Sequence, residues 1–360
     1  MPPFIIDAHQ DIAYNIRSYN RDYTLPVDET RHRETGSRAV TENGNTLLGW
    51  PEYKSANVTA IFSTLFAAPA TDPMHQSDPL MYHDSDGAHH LYLEQIDAYE
   101  KLVAGHPDKF QIIRTKSQFV DGLEHSNNDP NAPISLVILM EGADCIRSVE
   151  ETGFWWQKGV RIIGPAWKAT RYCGGTGQPG PLTDEGHKLL KEMAKYGYIL
   201  DISHMDWAAA LQSLDEYPGT IIASHANMIS KVVGGTRNRF LTDEIGRKLI
   251  GRNGVIGVIP FNNFLIQGWS TMDDKPSVSL SMVADQIDFI CQLAGNANHA
   301  ALGTDFDGGF GVELTPDEIN TIADLQKLAP MLQKRGYKEE EINQIFGVNW
   351  ASILTRSLPE

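Results

Sequence analysis

With 360 residues, 41% hydrophobic and 21% charged, the chain is long enough for two ordinary domains or one large α/β barrel and can fill a sizeable core. Its formal net charge of −16 excludes the basic surface that nucleic acid requires, so no nucleic-acid partner is expected. Mean hydropathy is −0.29, and no apolar run approaches the ~20 residues of a spanning helix, which excludes a membrane span of that kind.

The N-terminal Met-Pro-Pro-Phe-Ile-Ile-Asp enters a strand at once, without a basic stretch followed by a long apolar one, so no secretory signal is expected. The closing Ser-Leu-Pro-Glu does not resemble a lipid-anchor tail. Cys145, Cys173 and Cys291 are odd in number and far apart, which suits a reducing cytoplasm better than a disulfide framework.

Along the chain, apolar and β-branched runs fall at Phe4–Ile6, Val58–Phe66, Ile134–Met140, Val160–Ile163, Tyr198–Ile202, Thr220–Ala223, Val255–Ile259 and Ala300–Gly303. Near-continuous apolar runs mark strands covered on both faces. Helical spacing appears between them, at His89–Ala104, Asp184–Tyr196, Asp243–Gly251 and Ser281–Ala294. Thr183 and Thr242 precede acidic first turns as capping residues should, and Gly197 and Gly251 stand where C-caps would fall. Strand–helix alternation repeated in this way predicts a (β/α)8 TIM barrel, whose active site lies at the C-terminal ends of the strands. We expect one domain over residues 1–360, with long loops at 17–51 and 67–88 shaping access to that face.

Potential metal donors end the runs. They are His9 and Asp11 in Asp7-Ala8-His9-Gln10-Asp11, Glu141 after Met140, His204 in Asp201-Ile202-Ser203-His204, His225 after Ser224, and Asp305 and Asp307 in Gly303-Thr304-Asp305-Phe306-Asp307. His9 and Asp11 are two apart on a strand, so both point to one side. A carboxylate at the end of the apolar run before Glu141 must be paired, neutral or metal-bound. Each donor alone has an ordinary reading: a loop cap, a salt-bridged Glu, a satisfied core His. Five such ends gathered at one face of a barrel point to a paired-metal hydrolytic site, with Asp305 suited to taking a proton from a metal-held water. Asp307 either supports the site or caps the segment after it.

The pieces Asp7-x-His9-x-Asp11, Glu141-Gly142, Leu182-Thr183-Asp184-Glu185-Gly186, Asp201-Ile202-Ser203-His204, Ser224-His225, Arg237-Asn238, Gly303-x-Asp305-Phe306-Asp307-Gly308 and Gly347-Val348-Asn349-Trp350 occur in this order over nearly the whole chain. In this the chain resembles the membrane dipeptidase (renal dipeptidase, peptidase M19) family of zinc hydrolases, its soluble bacterial branch in particular. The resemblance implies a (β/α)8 barrel holding two zinc ions, His9 and Asp11 on one, His204 and His225 on the other, and Glu141 as the bridge. It further implies that Asp305 handles the proton, and that Arg237, with Asn238 beside it, clamps the carboxylate of a dipeptide or small acyl-amino acid. A hydroxide between the metals would attack the amide. No membrane partner is expected, and homo-oligomerisation is left open.

The chain departs from the family at strand four. Where the family usually reads Thr-Leu-Thr-His, this chain runs Gly159-Val160-Arg161-Ile162-Ile163-Gly164-Pro165-Ala166-Trp167. Trp167 then lines the pocket in place of a His that helps hold the reacting carbonyl, and an indole donates one hydrogen bond but gains no proton. Slow turnover of simple dipeptides is the consequence expected. Two other readings stay open: another small amide, lactone or ester as substrate, and a silent small-molecule binding protein. Arg171-Tyr172-Cys173-Gly174-Gly175-Thr176-Gly177 is either a substrate loop or a plain βα connection; no Gly-Lys-Ser/Thr comes after it to make it a phosphate loop.

Overall fold

All eight apolar runs form strands in the computed structural model, which describes residues 2–72, 80–273 and 277–360. We number them β1 (Ile5–Gln10), β2 (Val58–Leu65), β3 (Ile134–Glu141), β4 (Val160–Gly164), β5 (Ile199–Asp201), β6 (Ile221–Ile222), β7 (Ile256–Val258) and β8 (Ala300–Leu302). Strands β1 to β6 pair in parallel in sequence order, and β7 pairs with β8. Parallel bridges Ala223–Ile256 and Gln10–Phe306 join the two sheets at both edges. The result is a closed (β/α)8 barrel. Every residue of β1, β2 and β3 is buried, as strands enclosed by helices on one side and barrel core on the other must be. No helix among the described residues is long and apolar enough to cross a membrane.

Local sequence explains the helices that were expected. Helices Asp184–Tyr196 and Asp243–Gly251 begin where Thr183 and Thr242 accept hydrogen bonds from the backbone N–H of Gly186 and Ile245. Gly197 ends the first of them at φ +82°. Gly251 does not cap the second: it is the last helical residue, and Arg252 after it is the cap. The helix after β2 is longer than its apolar period, Ser85–Gly105, because Asp84 caps it on the N–H of Gly87. The last of the four runs Leu280–Ala294.

The stretches expected to be loops are more ordered. Residues 17–51 contain Val27–Glu34, Arg38–Asn43 and the start of Trp50–Ser55, helices too short and polar to show an apolar period. Within 67–88, Ala68–Pro69 pairs with Met81–Tyr82 before the Ser85 helix begins; Pro73 and Pro79 lie outside the described residues. The Gly-rich stretch is half of an antiparallel hairpin, Cys173–Gly175 with Gln178–Leu182. Phe110–Ile112 adds a short strand beside the first half of β3.

Two glycines set how tightly the barrel closes. A Cβ on Gly257 or Gly303 would collide with the Ser224 carbonyl, so β7 and β8 can approach the end of β6 only without side chains there. Gly303→Ala should therefore cost roughly 1–3 kcal/mol or more. Thermal unfolding followed by circular dichroism should show a lowered Tm; an unchanged Tm would mean the barrel closes without this contact.

Candidate metal centre and active site

The donors converge at the C-terminal mouth of the barrel. His204 Nε2 and His225 Nε2 stand 3.0 Å apart, and Glu141 Oε1 lies 3.0 Å from the first and 3.4 Å from the second. The other oxygen of Glu141 faces His9 Nε2 at 3.6 Å, and Asp305 Oδ1 is 3.8 Å from the same nitrogen. Candidate ligand sets are therefore His9, Glu141 and His225 on one hand and His9, Asp11 and Asp305 on the other. Asp11 does not continue the strand. β1 stops at Gln10, its pairing to β2 slips between Asp7 and Gln10, and Asp11 stands at the N-cap position of the helix Ile12–Tyr19 without spending its side chain on a cap. That irregularity re-aims the chain, so Asp11 reaches the site by a turn and not by strand alternation.

A carboxylate at the end of β5 fixes the imidazoles. Asp201 Oδ1 accepts from Ser203 Oγ at 2.6 Å and from the backbone N–H of Ser224 at 2.9 Å, while Oδ2 accepts from Ser224 Oγ. With its proton given to Asp201, Ser224 Oγ must accept from His225 Nδ1, 2.8 Å away. The lone pair of His225 Nε2 is then left facing Glu141. Thr176 Oγ1, at the tip of the hairpin, contacts His204 Nδ1 at 2.9 Å and can hold that ring in the same way. Thr64 Oγ1 donates to Asp11.

Two lone-pair nitrogens and an anionic oxygen this close repel one another unless a cation sits among them. Both ring nitrogens of His9 and Oε1 of Glu141 are buried without a hydrogen-bond partner, and buried polar atoms without partners are costly. Imidazole nitrogens and carboxylate oxygens are the donors zinc takes. The residues fit a metal.

Cation-free, the electrostatics are lopsided. Burial pulls the His9 imidazole down, but the carboxylates of Glu141, Asp305 and Asp11 outweigh it and push it up to about 10. Burial, joined by the positive charge of Arg239, brings His204 down to about 4. Burial lifts Asp11 to about 6 and carries Asp305 well above the usual carboxylate range. Burial would raise Glu141 too, yet His9 and His204 hold it well below that range.

The site opens into a cavity of about 470 Å³ lined by Asp11, Glu141, His204, Asp305, Trp167 and Arg237 among others. Trp167 packs its ring 5.0 Å from Phe66 and 6.4 Å from the His204 ring. Arg237 is exposed at the rim, its backbone N–H on Gln267 Oε1 at 3.3 Å. Asn238 does not line the cavity. Its amide is engaged with Gly177 N, Gly175 O and Asp206 Oδ2, which ties the hairpin to the loop carrying Arg237.

Sequence reasoning did not single out Arg239. The residue is 2% exposed and lines the cavity, and its guanidinium donates to the carbonyls of Ser203 at 3.0 Å and His225 at 2.9 Å, with Nε left over. Nothing in the linear Arg237-Asn238-Arg239 tells which guanidinium is buried; the carbonyls that satisfy Arg239 come from two other strand ends. Asp201 stood in a family motif without a role, and its serine-mediated hold on His225 is visible only in three dimensions.

Barrel and donor set together define a metal-dependent hydrolase. The family pattern described as "Membrane dipeptidase (Peptidase family M19)" matches residues 3–357. This chain belongs to that family and is a hydrolase of its metallo-dipeptidase type. It is 32% identical over 205 residues to a protein from Klebsiella pneumoniae described as an uncharacterized protein in the pqqA 5' region, 54% of this chain and 72% of that one. It is 24% identical over 358 residues to the dipeptidase verJ of Clonostachys rogersoniana, covering 97% of this chain and 83% of that one. Its fold is that of a metallopeptidase from Rhodobacter sphaeroides, crystallised with a phosphinate mimic of the dipeptide L-Ala-D-Ala, at a TM-score of 0.78 and 18% identity over 99% of this chain and all of the other.

Glu141→Ala should lose most of the bound divalent metal by elemental analysis. Asp201→Ala, which frees Ser203 and Ser224, should weaken metal affinity by roughly 10–100-fold in a chelator competition. Full metal retention by both would place the metal elsewhere.

Proposed function

We propose that this chain is a cytoplasmic dipeptidase that acts as one barrel domain with two zinc ions, Glu141 bridging them. The carrying observation is the division of Glu141: Oε1 faces His204 and His225, and the opposite oxygen faces His9 on the side of Asp11 and Asp305. Three free thiols support the compartment, and the relative named a dipeptidase supports the substrate class. A pair of zinc ions at such donors supplies a water acidified toward neutrality and a polarised carbonyl.

This chain's residues do the rest. Asp305 lines the cavity beside His9, placed to accept the proton of the attacking water and pass it to the leaving amine. Arg237 at the rim meets the terminal carboxylate, and Arg239 deeper in the wall adds positive charge toward the same cavity. Trp167, beside His204, closes the wall where the family's His would stand and can offer a developing oxyanion at most one indole N–H, so the rest of that stabilisation would have to come from metal held by the neighbouring donors. That feature also favours a second reading, hydrolysis of another small amide, lactone or ester.

A zinc-loaded assay over dipeptides, acyl-amino acids and esters separates the two. Small dipeptides such as Ala-Ala should turn over slowly, and Trp167→His should raise that rate. Arg237→Ala should raise KM for carboxylate substrates by roughly 10–100-fold, the equivalent of ~1.5–3 kcal/mol. An unmoved KM in Arg237→Ala with a raised one in Arg239→Ala would transfer the clamp to Arg239. Ester or lactone turnover with none on any dipeptide would establish the second reading.

A further inference from the structure

The cavity is walled by aromatic rings on two sides; one wall runs to Glu42, its Trp167 end carrying Lys168 neutralised by Asp72 at 3.6 Å, and the other ends at two guanidinium groups. On one side Phe66 packs against Tyr14 at 5.6 Å and Trp167 at 5.0 Å between ring centroids. Tyr14 continues to Tyr19 at 6.1 Å, whose hydroxyl lies 3.2 Å from Glu42 at the rim. On the other side Phe261 stacks on Phe310 at 4.4 Å and meets Phe264 at 4.8 Å. The guanidinium of Arg239 lies over Phe264 at 5.0 Å, and the loop bearing Arg237 is tied to Gln267 just beyond that ring. All of these rings face the cavity except where they back one another. Two small side chains would leave such walls in contact with water, whereas a large apolar one displaces it at a gain proportional to the area covered.

Charge sets the direction of binding. A dipeptide is cationic at one end and anionic at the other. Its carboxylate belongs with Arg237 and Arg239, next to Phe261 and Phe264, and its amine with the Glu42 side, although Arg38 Nε, 2.6 Å from Glu42, shares that carboxylate. With the scissile carbonyl at Glu141 and His204, each residue of the dipeptide lies against a different wall.

We infer that this enzyme selects dipeptides with large apolar or aromatic side chains, the N-terminal residue against Tyr14, Phe66 and Trp167, and the C-terminal residue against Phe261 and Phe310. The inference rests on the dipeptidase reading and adds the class of substrate to it.

The test compares kcat/KM for Phe-Ala, Ala-Phe and Ala-Ala on the zinc-loaded, full-length enzyme and on Phe66→Leu and Phe310→Leu. Leucine is used because both rings are largely buried and alanine could unfold the wall. The wild type should favour Phe-Ala and Ala-Phe over Ala-Ala by roughly tenfold or more. Phe66→Leu should shrink the Phe-Ala to Ala-Ala ratio severalfold more than the Ala-Phe ratio, and Phe310→Leu should do the reverse. Equal cleavage of all three by the wild type would overturn the inference and leave the dipeptidase reading standing. Both variants acting on the same ratio would overturn the assignment of walls. Cleavage of none would overturn the dipeptidase reading itself, and the inference with it.

Discussion

Everything at the mouth of this barrel depends on one buried anion. Glu141 is 5% exposed, follows the apolar run Leu136–Met140 at the end of its strand, and has three imidazole nitrogens within 3.6 Å. An isolated carboxylate in such a place would neutralise or pair. Here the pairing groups are nitrogens, and the hydrogen bond through Ser224 to Asp201 directs the proton of His225 away from Glu141. The arrangement makes sense around cations and is costly without them. A barrel suits this demand because a strand end is fixed by pairing on both sides.

The helices inserted after β1 serve the same site from behind. Asp305 and Asp307 adopt φ of +58° and +63°, a left-handed conformation that costs a non-glycine residue energy. Asp307 holds the turn in that shape. It receives Arg21 at 3.0 Å, Tyr23 Oη at 3.1 Å and the backbone N–H of Leu47 at 2.9 Å, all from residues of that insertion. Arg21 is itself tied to Glu34 at 2.8 Å. Gly308 completes the turn, because a Cβ there would strike Asp305 and press on Asp11. The long segment after β1 thus braces the turn that presents Asp305.

The barrel was legible because its strands are buried on both faces and so read as plain apolar runs, and because Thr183 and Thr242 cap their helices through contacts three residues away. His9, Glu141, His204 and His225 were legible for a related reason: each interrupts or ends such a run. What the sequence hid is what depends on distant contacts. Within 17–51 the helix Val27–Glu34 is tied through Glu34 to Arg21 and the helix Arg38–Asn43 through Asn43 to the Asp307 carbonyl, contacts across the fold that no apolar period announces. Asp11 reaches the site through a slip in strand pairing that no alternation rule contains. Arg239 is buried by carbonyls from two other strands, while Arg237, two residues earlier, stays in solvent. Asn238, grouped with Arg237 by adjacency, binds the hairpin and does not line the cavity.

Anomalous diffraction at the zinc edge, on crystals of the zinc-loaded protein, decides whether Glu141 lies between two ions. Two peaks should flank Glu141, one bounded by His9 and Asp11 and the other by His204 and His225. A single peak, or metal that does not contact Glu141, would contradict that bridging role.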